Sequence, residues 1–162
     1  MGNEKAIVAF LDFDTYLPYL PEVAEYVKKY APKSKILMHQ TWAYEQGSKR
    51  LCDELGYQDQ AEMFADIKDA YARAAELVVA DGILPSGQAM QYALANGRKT
   101  VHRDTFHADL RFGRYLLGLT WYGILTGNRV VGNKLHRFDV PVSETDLAIA
   151  LQSAQEATID YL

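Results

Sequence analysis

Short apolar runs alternate along the chain with longer stretches in which apolar residues recur every three or four positions. Residues 6–11 form a continuous apolar run of the length of a buried parallel strand. Residues 35–42 form a second run, which turns polar and aromatic at its carboxyl end, and residues 83–84 form a short third one. Because parallel strands need helical crossovers between them, this alternation predicts an α/β fold with a parallel sheet and helices on both faces.

The intervening segments carry helical periodicity. Residues 22–30 place Val23, Tyr26 and Val27 on one face, which predicts a helix that buries this face. The strongest helical pattern lies at residues 60–79, followed by Gly82 as a C-cap glycine, and its apolar positions are Met63, Phe64, Ile67, Tyr71, Ala74, Ala75 and Val78. Further helices are predicted at residues 88–95, at residues 110–125 and from the Ser143 N-cap to the C-terminus.

Between the second strand and the strongest helix, residues 43–58 are rich in glycine, serine and charge. We expect a loop here, and its length favours a functional or mobile segment over a plain connection.

Length and charge limit the class of protein. A chain of 162 residues is the size of one domain, so we expect residues 1–162 to fold as a single unit. The formal charge of -4 gives no basic surface for nucleic acid, so DNA or RNA partners are not expected. The single cysteine, Cys52, excludes an internal disulfide and a paired-cysteine metal site.

Neither a secretory signal nor a membrane span is expected. Residues 1–5 are polar and precede only a short apolar stretch, and the longest apolar run, residues 115–125, is shorter than a bilayer span. We therefore expect a soluble protein without membrane partners, cytoplasmic by default or secreted if a leader has been removed.

The clearest candidate for chemistry is the aspartate at position 104, three residues before His107 in a polar turn. A carboxylate beside a histidine fixes its tautomer and stabilises the imidazolium that forms when the ring takes a nucleophile's proton. Asp104 and His107 thus supply two of the three parts of a hydrolase triad. A turn that caps a helix and carries a surface histidine would show the same spacing.

A cleft for a ligand is expected at the carboxyl edge of the sheet, where ligands bind in open α/β folds. The segments that converge there are residues 12–14, 39–44 and 85–88. Gln40 and Ser86 would supply hydrogen bonds, and the aromatic faces of Trp42 and Tyr44 suit a sugar or a small polar ester. Packing in the core or a loop is an equally consistent use of the two aromatic residues.

Several motifs, taken in order, resemble one family. The main ones are His39-Gln40-Thr41-Trp42-Ala43-Tyr44, Pro85-Ser86-Gly87-Gln88 and Arg103-Asp104-Thr105-Phe106-His107. Further matches are residues 16–20, 113–115 and 119–122, with Ser48, Gln60 and Met63 between them. Together they resemble a mostly bacterial branch of the SGNH/GDSL-type hydrolases, akin to carbohydrate acetyl-esterases and described largely as a domain of unknown function. The resemblance covers residues 14–128.

The resemblance implies a three-layer, flavodoxin-like parallel sheet and hydrolysis of an ester, such as a carbohydrate or small acetyl ester. His107 would be the general base and Asp104 its orienting carboxylate. No cofactor is implied, and His39, His102, His107 and His136 lack the spacing of metal ligands, so we expect no metal.

The chain departs from this family at the nucleophile. No strand leads into a Gly-Asp/Asn-Ser turn, and the segment Gly2-Asn3-Glu4 has glutamate where the serine would stand. The serines present, none of which matches the nucleophile position, are Ser34, Ser48, Ser86, Ser143 and Ser153. We therefore expect a truncated SGNH fold whose uncovered sheet edge favours a homo-oligomer.

Two other functions fit the sequence. The chain is compatible with an inactive remnant of the hydrolase fold that binds a glycan or only oligomerises. It also contains Asp12 and Asp14 after the first apolar run, the pair that haloacid-dehalogenase-like phosphatases use with Mg²⁺, although Thr15 replaces the usual glycine.

Overall fold

The computed structural model describes residues 12–135 and 142–162 of the chain. Its elements, in order, are a 3-10 helix (Phe13–Tyr16), α1 (Tyr19–Tyr30), β1 (Leu37–His39), a π-helical turn (Arg50–Glu54), α2 (Gln60–Val78), β2 (Gly82–Leu84), α3 (Ser86–Ala95), α4 (Phe112–Thr126) and α5 (Glu144–Ile159). This mixed α/β architecture confirms the predicted class. The strand predicted at residues 6–11 and the segment Gly2-Asn3-Glu4 lie outside the described residues.

β1 and β2 pair in parallel, with Leu37 opposite Gly82 and His39 opposite Leu84. Their carboxyl ends therefore meet at one edge, as the sequence predicted for these two strands. β1 is shorter than the strand predicted at residues 35–42. The backbone N–H of Gln40 still donates to Leu84, but the chain then turns against the start of α3 instead of continuing the ladder.

α2 forms where its periodicity predicted it. The Asp59 side chain accepts a 2.8 Å hydrogen bond from the backbone N–H of Glu62, which satisfies one of the free donors at the helix start. The helix ends at Val79, whose φ of 52° is left-handed, and Gly82 belongs to β2. The prediction that Gly82 caps α2 was therefore wrong, because Val79 takes the left-handed position itself.

α1 buries only part of the face that was predicted: of its three residues, Val27 is half-buried, while the other two are exposed. Val23 and Tyr26 are 60% and 65% exposed, while Ala24 is buried. The helix packs on α2, and the small side chain of Ala24 permits that contact. The exposed apolar residues form what we call the α1 stripe, which consists of Tyr19, Val23, Tyr26 and Tyr30.

The main core lies among α3, α4 and α5, which pack on one another, while α4 also contacts β2. Its fully buried members include Met90, Val101, Phe112, Leu116, Val130, Ala150 and Ala154. Close helix approach depends on small residues: a Cβ on Gly123 would lie 2.5 Å from Thr158 Cγ2. Burial of these side chains on three helices fixes the position of the loops between them.

A second core joins α2 to the segment predicted as a functional or mobile loop. Leu51, in the π-helical turn, is fully buried against a cluster that includes Met63, Phe64 and Ile67 of α2. Residues 43–58 are thus a packed connection, and their position relative to α2 is set by apolar contacts.

Within the two described ranges, no helix combines the length and apolar character needed to cross a bilayer.

Candidate functional site

Asp104 and His107 form a hydrogen-bonded pair. His107 Nδ1 donates to Asp104 Oδ2 over 2.9 Å, and the backbone N–H of His107 donates to Asp104 Oδ1 over the same distance. Because the carboxylate has no proton to donate, it fixes the tautomer that carries hydrogen on Nδ1. Both side chains are about half exposed, at 42% and 51%. The ring's other nitrogen, Nε2, makes no hydrogen bond with the described residues.

The Asp104 carboxylate stays ionised over the whole neutral range. Partial desolvation acts to raise its pKa, but the side-chain and backbone hydrogen bonds from His107 and the charge of that ring outweigh it. The result is a pKa of about 2. Arg103 Nε also lies 3.3 Å from Asp104 Oδ2, so one oxygen faces both the guanidinium and the imidazole. Such a carboxylate stabilises a protonated histidine beside it.

Asp104 is not the cap of the following helix. That position belongs to Asp109, whose Oδ1 accepts hydrogen bonds from the backbone N–H groups of Arg111 and Phe112 at 3.1 and 2.7 Å. Because Asp109 already satisfies the start of α4, the bond between Asp104 and His107 orients the imidazole without serving the helix.

Two long-range hydrogen bonds hold this turn against the segment that follows β1. The indole N–H of Trp42 donates to the carbonyl of Phe106 over 2.8 Å. The backbone N–H of Glu45 donates to the carbonyl of Thr105 over 2.7 Å. The Asp104 and His107 pair is therefore positioned beyond the carboxyl end of β1, at the edge where a ligand was expected.

His102 anchors the start of the same turn. Its ring is buried, and its Nε2 lies 2.9 Å from the carbonyl oxygen of Ala43, to which it donates. Desolvation lowers the pKa of His102, although the bond to Ala43 acts in the opposite direction. A buried neutral imidazole that donates to a backbone carbonyl is a structural element of the site.

An aromatic surface borders His107. The Phe106 ring lies 3.9 Å from the His107 ring and 6.1 Å from the Tyr44 ring, between centroids. The Arg50 guanidinium lies 3.8 Å from the centre of Phe106. Tyr44 thus lies beside Phe106, while Trp42 donates its indole N–H to the turn and packs on the main core. The substrate-binding roles of both residues stay predictions. Phe106 was visible within the turn motif, but no sequence signal pointed to Arg50.

Gln40 lies in the interior. It is fully buried, its Oε1 accepts from the backbone N–H of Gln88 over 3.0 Å, and its Nε2 donates to the Tyr161 hydroxyl over 3.2 Å. Both ends of the amide are therefore engaged, and Gln40 satisfies the start of α3. Its role as a substrate-binding residue stays a prediction.

Ser86 contacts a different histidine. Its Oγ lies 2.8 Å from His39 Nε2, a pair that the sequence did not reveal. His39 keeps contact with solvent, but partial burial of its ring, which lies edge-on to Trp121, lowers its pKa. Ser86 itself is fully buried, and no carboxylate among the described residues orients His39. The enclosed hydroxyl is poorly placed for substrate, so its predicted binding role also stays a prediction.

The other serine hydroxyls have structural partners. Ser48 and Ser143 accept hydrogen bonds from the backbone N–H groups of Leu51 and Asp146, and Ser153 accepts from the Asn96 amide. Ser34 is exposed. In the described part of the chain, no serine hydroxyl hydrogen-bonds to His107.

Asp12 and Asp14 are exposed and have a local role. Asp12 Oδ1 accepts a 3.2 Å hydrogen bond from the backbone N–H of Asp14 and caps the 3-10 helix. Across residues 12–135 and 142–162, no group of three His, Cys, Asp or Glu side chains is arranged to hold a metal ion. The magnesium-phosphatase hypothesis gains no support from this geometry.

Comparison with known proteins gives one family. Residues 5–157 match a family described as a domain of unknown function, DUF4886. The chain is also similar to a solved structure, described as a DUF4886 family protein from Bacteroides uniformis, with 31% identity and a TM-score of 0.83. That similarity covers 93% of this chain and 58% of the Bacteroides chain. No functionally curated protein matches.

Proposed function

The chain belongs to the DUF4886 family, and on this premise we propose that it is an SGNH-type ester hydrolase with His107 as its general base. The observation that carries the proposal is the 2.9 Å hydrogen bond between His107 Nδ1 and Asp104 Oδ2, with Nε2 left for a reacting hydroxyl. A histidine oriented in this way is the general base of serine hydrolases on several unrelated folds.

In the proposed reaction, His107 Nε2 takes the proton of a hydroxyl as its oxygen attacks the ester carbonyl. The imidazolium that results is stabilised by the ionised Asp104 carboxylate. It then returns the proton to the leaving alcohol, so the ring ends neutral and no net proton is consumed in that step. A second hydroxyl, from water, repeats the sequence on the acyl group.

We propose a carbohydrate ester or another small acetyl ester as the substrate class. Tyr44 and Phe106 offer aromatic surface beside His107, and Arg50 covers part of it. Sugar rings pack their C–H faces on aromatic side chains and leave their hydroxyl groups for hydrogen bonds. This arrangement supports a carbohydrate ester over a fully apolar one.

The same proposal extends to the fold. We infer a three-layer, flavodoxin-like parallel sheet of the SGNH type, with helices on both faces. Support comes from the parallel pairing of β1 and β2, from the packing of α2 on both strands and from that of α4 on β2.

Serine labelling tests the proposal directly. The purified chain is treated with a fluorophosphonate, mapped by peptide mass, and assayed on a short-chain acetyl ester, alongside His107→Ala and His39→Ala. We expect His107→Ala to abolish hydrolysis and His39→Ala to preserve most of it. Activity that depends on His107 without any labelled serine would assign the attack to water. Labelling of Ser86 that is lost in His39→Ala would contradict the proposal and favour the Ser86 and His39 pair.

The second candidate is an inactive member of the fold that binds a glycan. The observation in its favour is that no described serine hydroxyl reaches His107. Under this alternative no serine is labelled, no ester is cleaved, and glycan binding measured by calorimetry is unchanged in His107→Ala.

We also propose that the chain forms a homo-oligomer through the α1 stripe. Its four residues present aromatic and aliphatic surface to solvent, with exposures from 60% to 69%. Sedimentation velocity at micromolar concentration tests this. Tyr26→Lys should shift the chain to monomer, whereas Glu25→Lys, on the same helix but off the stripe, should not. A wild-type monomer would contradict the oligomer.

A further inference from the structure

A polar cavity opens where α4 and α5 begin. Its volume is about 420 Å³, which lies within the range of small-molecule sites. The charged residues that line it are Arg98, Arg103, Asp109, Arg111 and Asp146.

The acidic residues of this cavity are already occupied. Asp146 Oδ1 lies 2.7 Å from Arg98 Nη1, and Asp109 Oδ1 accepts the first backbone N–H groups of α4. Arg111 is exposed, and within the described residues its guanidinium has no ion-pair partner. Arg103 is 40% exposed and contacts only one oxygen of Asp104. Among the described residues that line this cavity, the charge left to attract a ligand is therefore positive.

Helix ends do not supply that attraction. Asp109 caps α4, and the Ser143 hydroxyl accepts from the backbone N–H of Asp146 at the start of α5. Because these side chains take the first free N–H groups, an anion in the cavity would be held mainly by the two exposed guanidinium groups of Arg103 and Arg111.

A second cavity, of about 410 Å³, adjoins the first one through two shared lining residues, Leu110 and Arg111. The rest of its lining is mainly apolar, with Tyr115, Gly118, Leu119, Tyr122 and Leu135, and also includes Arg114 and Asn133. A ligand that crosses the shared segment would therefore meet guanidinium groups on one side and apolar surface on the other.

We propose that the two cavities together form a binding site for an organic anion with an apolar body. A carboxylate or phosphate group binds Arg103 and Arg111, and an alkyl or aromatic body fills the apolar cavity. The site adjoins the Asp104 and His107 pair through Arg103, whose Nε lies 3.3 Å from Asp104 Oδ2, but it uses neither residue of the pair and does not depend on ester hydrolysis.

Binding of octanoate tests the proposal. Acetate, which has the carboxylate without the long chain, and 1-octanol, which has the chain without the carboxylate, are compared with it. Calorimetry and protein-observed NMR should show octanoate binding at least about tenfold more tightly than acetate, because its longer alkyl chain buries apolar surface that acetate lacks. Shift changes should centre on α4. An absence of octanoate binding, or equal affinity for acetate and octanoate, would overturn the proposal.

Two variants test the site, one for its cationic half and one for its apolar half. Arg111→Gln should weaken octanoate binding about three- to tenfold and leave octanol binding unchanged. Gly118→Leu should reduce octanoate affinity to the acetate level, since a Cβ at Gly118 meets nothing within 4 Å and the side chain enters the apolar cavity.

The controls separate this site from the proposed activity. Arg73→Gln removes the same charge from α2, where the guanidinium lies 3.6 Å from Asp69, and should not change binding. His107→Ala should leave octanoate affinity intact even where it abolishes hydrolysis. Octanoate binding that persists unchanged in both Arg111→Gln and Gly118→Leu would contradict the site.

Discussion

The indole N–H of Trp42 donates a 2.8 Å hydrogen bond to the carbonyl oxygen of Phe106, across 64 positions of the chain. Trp42 follows β1, and Phe106 lies between Asp104 and His107 in the sequence. This hydrogen bond therefore helps to fix the position of His107 relative to the edge of the sheet. Trp42, which the sequence suggested as a substrate-binding residue, thus also has a structural role.

Trp42→Phe should loosen this connection. The substitution removes the donor and leaves the Phe106 carbonyl without its partner, so we expect the free energy of unfolding to fall by about 1–2 kcal/mol. Amide exchange at His107 should quicken. Urea denaturation and hydrogen exchange measure the two effects. Trp121→Phe is the control, because the Trp121 indole N–H makes no hydrogen bond with the described residues and its removal should cost less.

The low pKa of Asp104 should make the stability of the fold depend on pH in the acid range. Its folded-state pKa of about 2 lies below the value of about 3.9 for an unfolded aspartate. The stabilisation is therefore fully present above about pH 4 and is lost as the pH falls through about 2. The difference in unfolding free energy between wild type and Asp104→Asn should shrink as the pH falls from about 4 to about 2. A carboxyl ¹³C titration of Asp104 with a midpoint near 4 would refute this.

Two glycines should respond to alanine in opposite directions. A Cβ at Gly87 would lie 2.2 Å from the Thr41 carbonyl oxygen, so Gly87→Ala must push α3 away from the end of β1. We expect a loss of about 2–4 kcal/mol. Gly118 lies inside α4 with open space at its Cβ, and Gly118→Ala should gain about 0.5–1 kcal/mol. Thermal unfolding of the pair checks both, and equal shifts would contradict the packing described.

Thr105 carries backbone strain within the turn. Its φ of 74° is left-handed, a conformation that costs a β-branched residue about 1–2 kcal/mol. Thr105→Gly should remove that cost and, after its own entropy loss, stabilise the chain by up to about 1 kcal/mol. Thr105→Val, equally strained, should differ little from wild type in chemical denaturation. Destabilisation of Thr105→Gly by more than 1 kcal/mol would show that the turn stores no strain.

The helices whose limits are set locally were predictable. The pattern at residues 60–79 corresponds to α2 at Gln60–Val78, since the Asp59 cap and the apolar spacing both lie within the helix or beside it. Ser143 opens α5 for the same reason: its side chain accepts from Asp146, three residues on. Elements defined by neighbours in sequence need no knowledge of the tertiary fold.

Which face of α1 is covered was not predictable. Periodicity identifies an apolar side, but tyrosine and valine on that side gain burial only if another element lies there. In the structure α2 contacts the side that carries Ala24, and the predicted face at Val23 and Tyr26 remains exposed. The choice depends on how α1 meets α2, which spacing along α1 does not encode.

The candidate site likewise has features that local spacing predicted and features that depend on distant contacts. The spacing of Asp104 and His107 predicted their contact, because three residues in a turn bring the two side chains together. The positions of Arg50 over Phe106 and of Gln40 inside the fold depend on contacts across many residues. The partners of Gln40, Gln88 and Tyr161, are 48 and 121 positions away, so no local pattern indicated them.

The buried side-chain amide of Gln40 connects the C-terminal residues to the edge of the sheet. Gln40 touches the start of α3 through its oxygen and the Tyr161 hydroxyl through its nitrogen. Without that hydroxyl, a buried donor would remain unpaired beside β1, at a cost of about 1–3 kcal/mol. A substitution at Tyr161 should therefore disturb the contact between the end of β1 and the start of α3. The two regions behave as one cooperative unit although more than a hundred residues separate them.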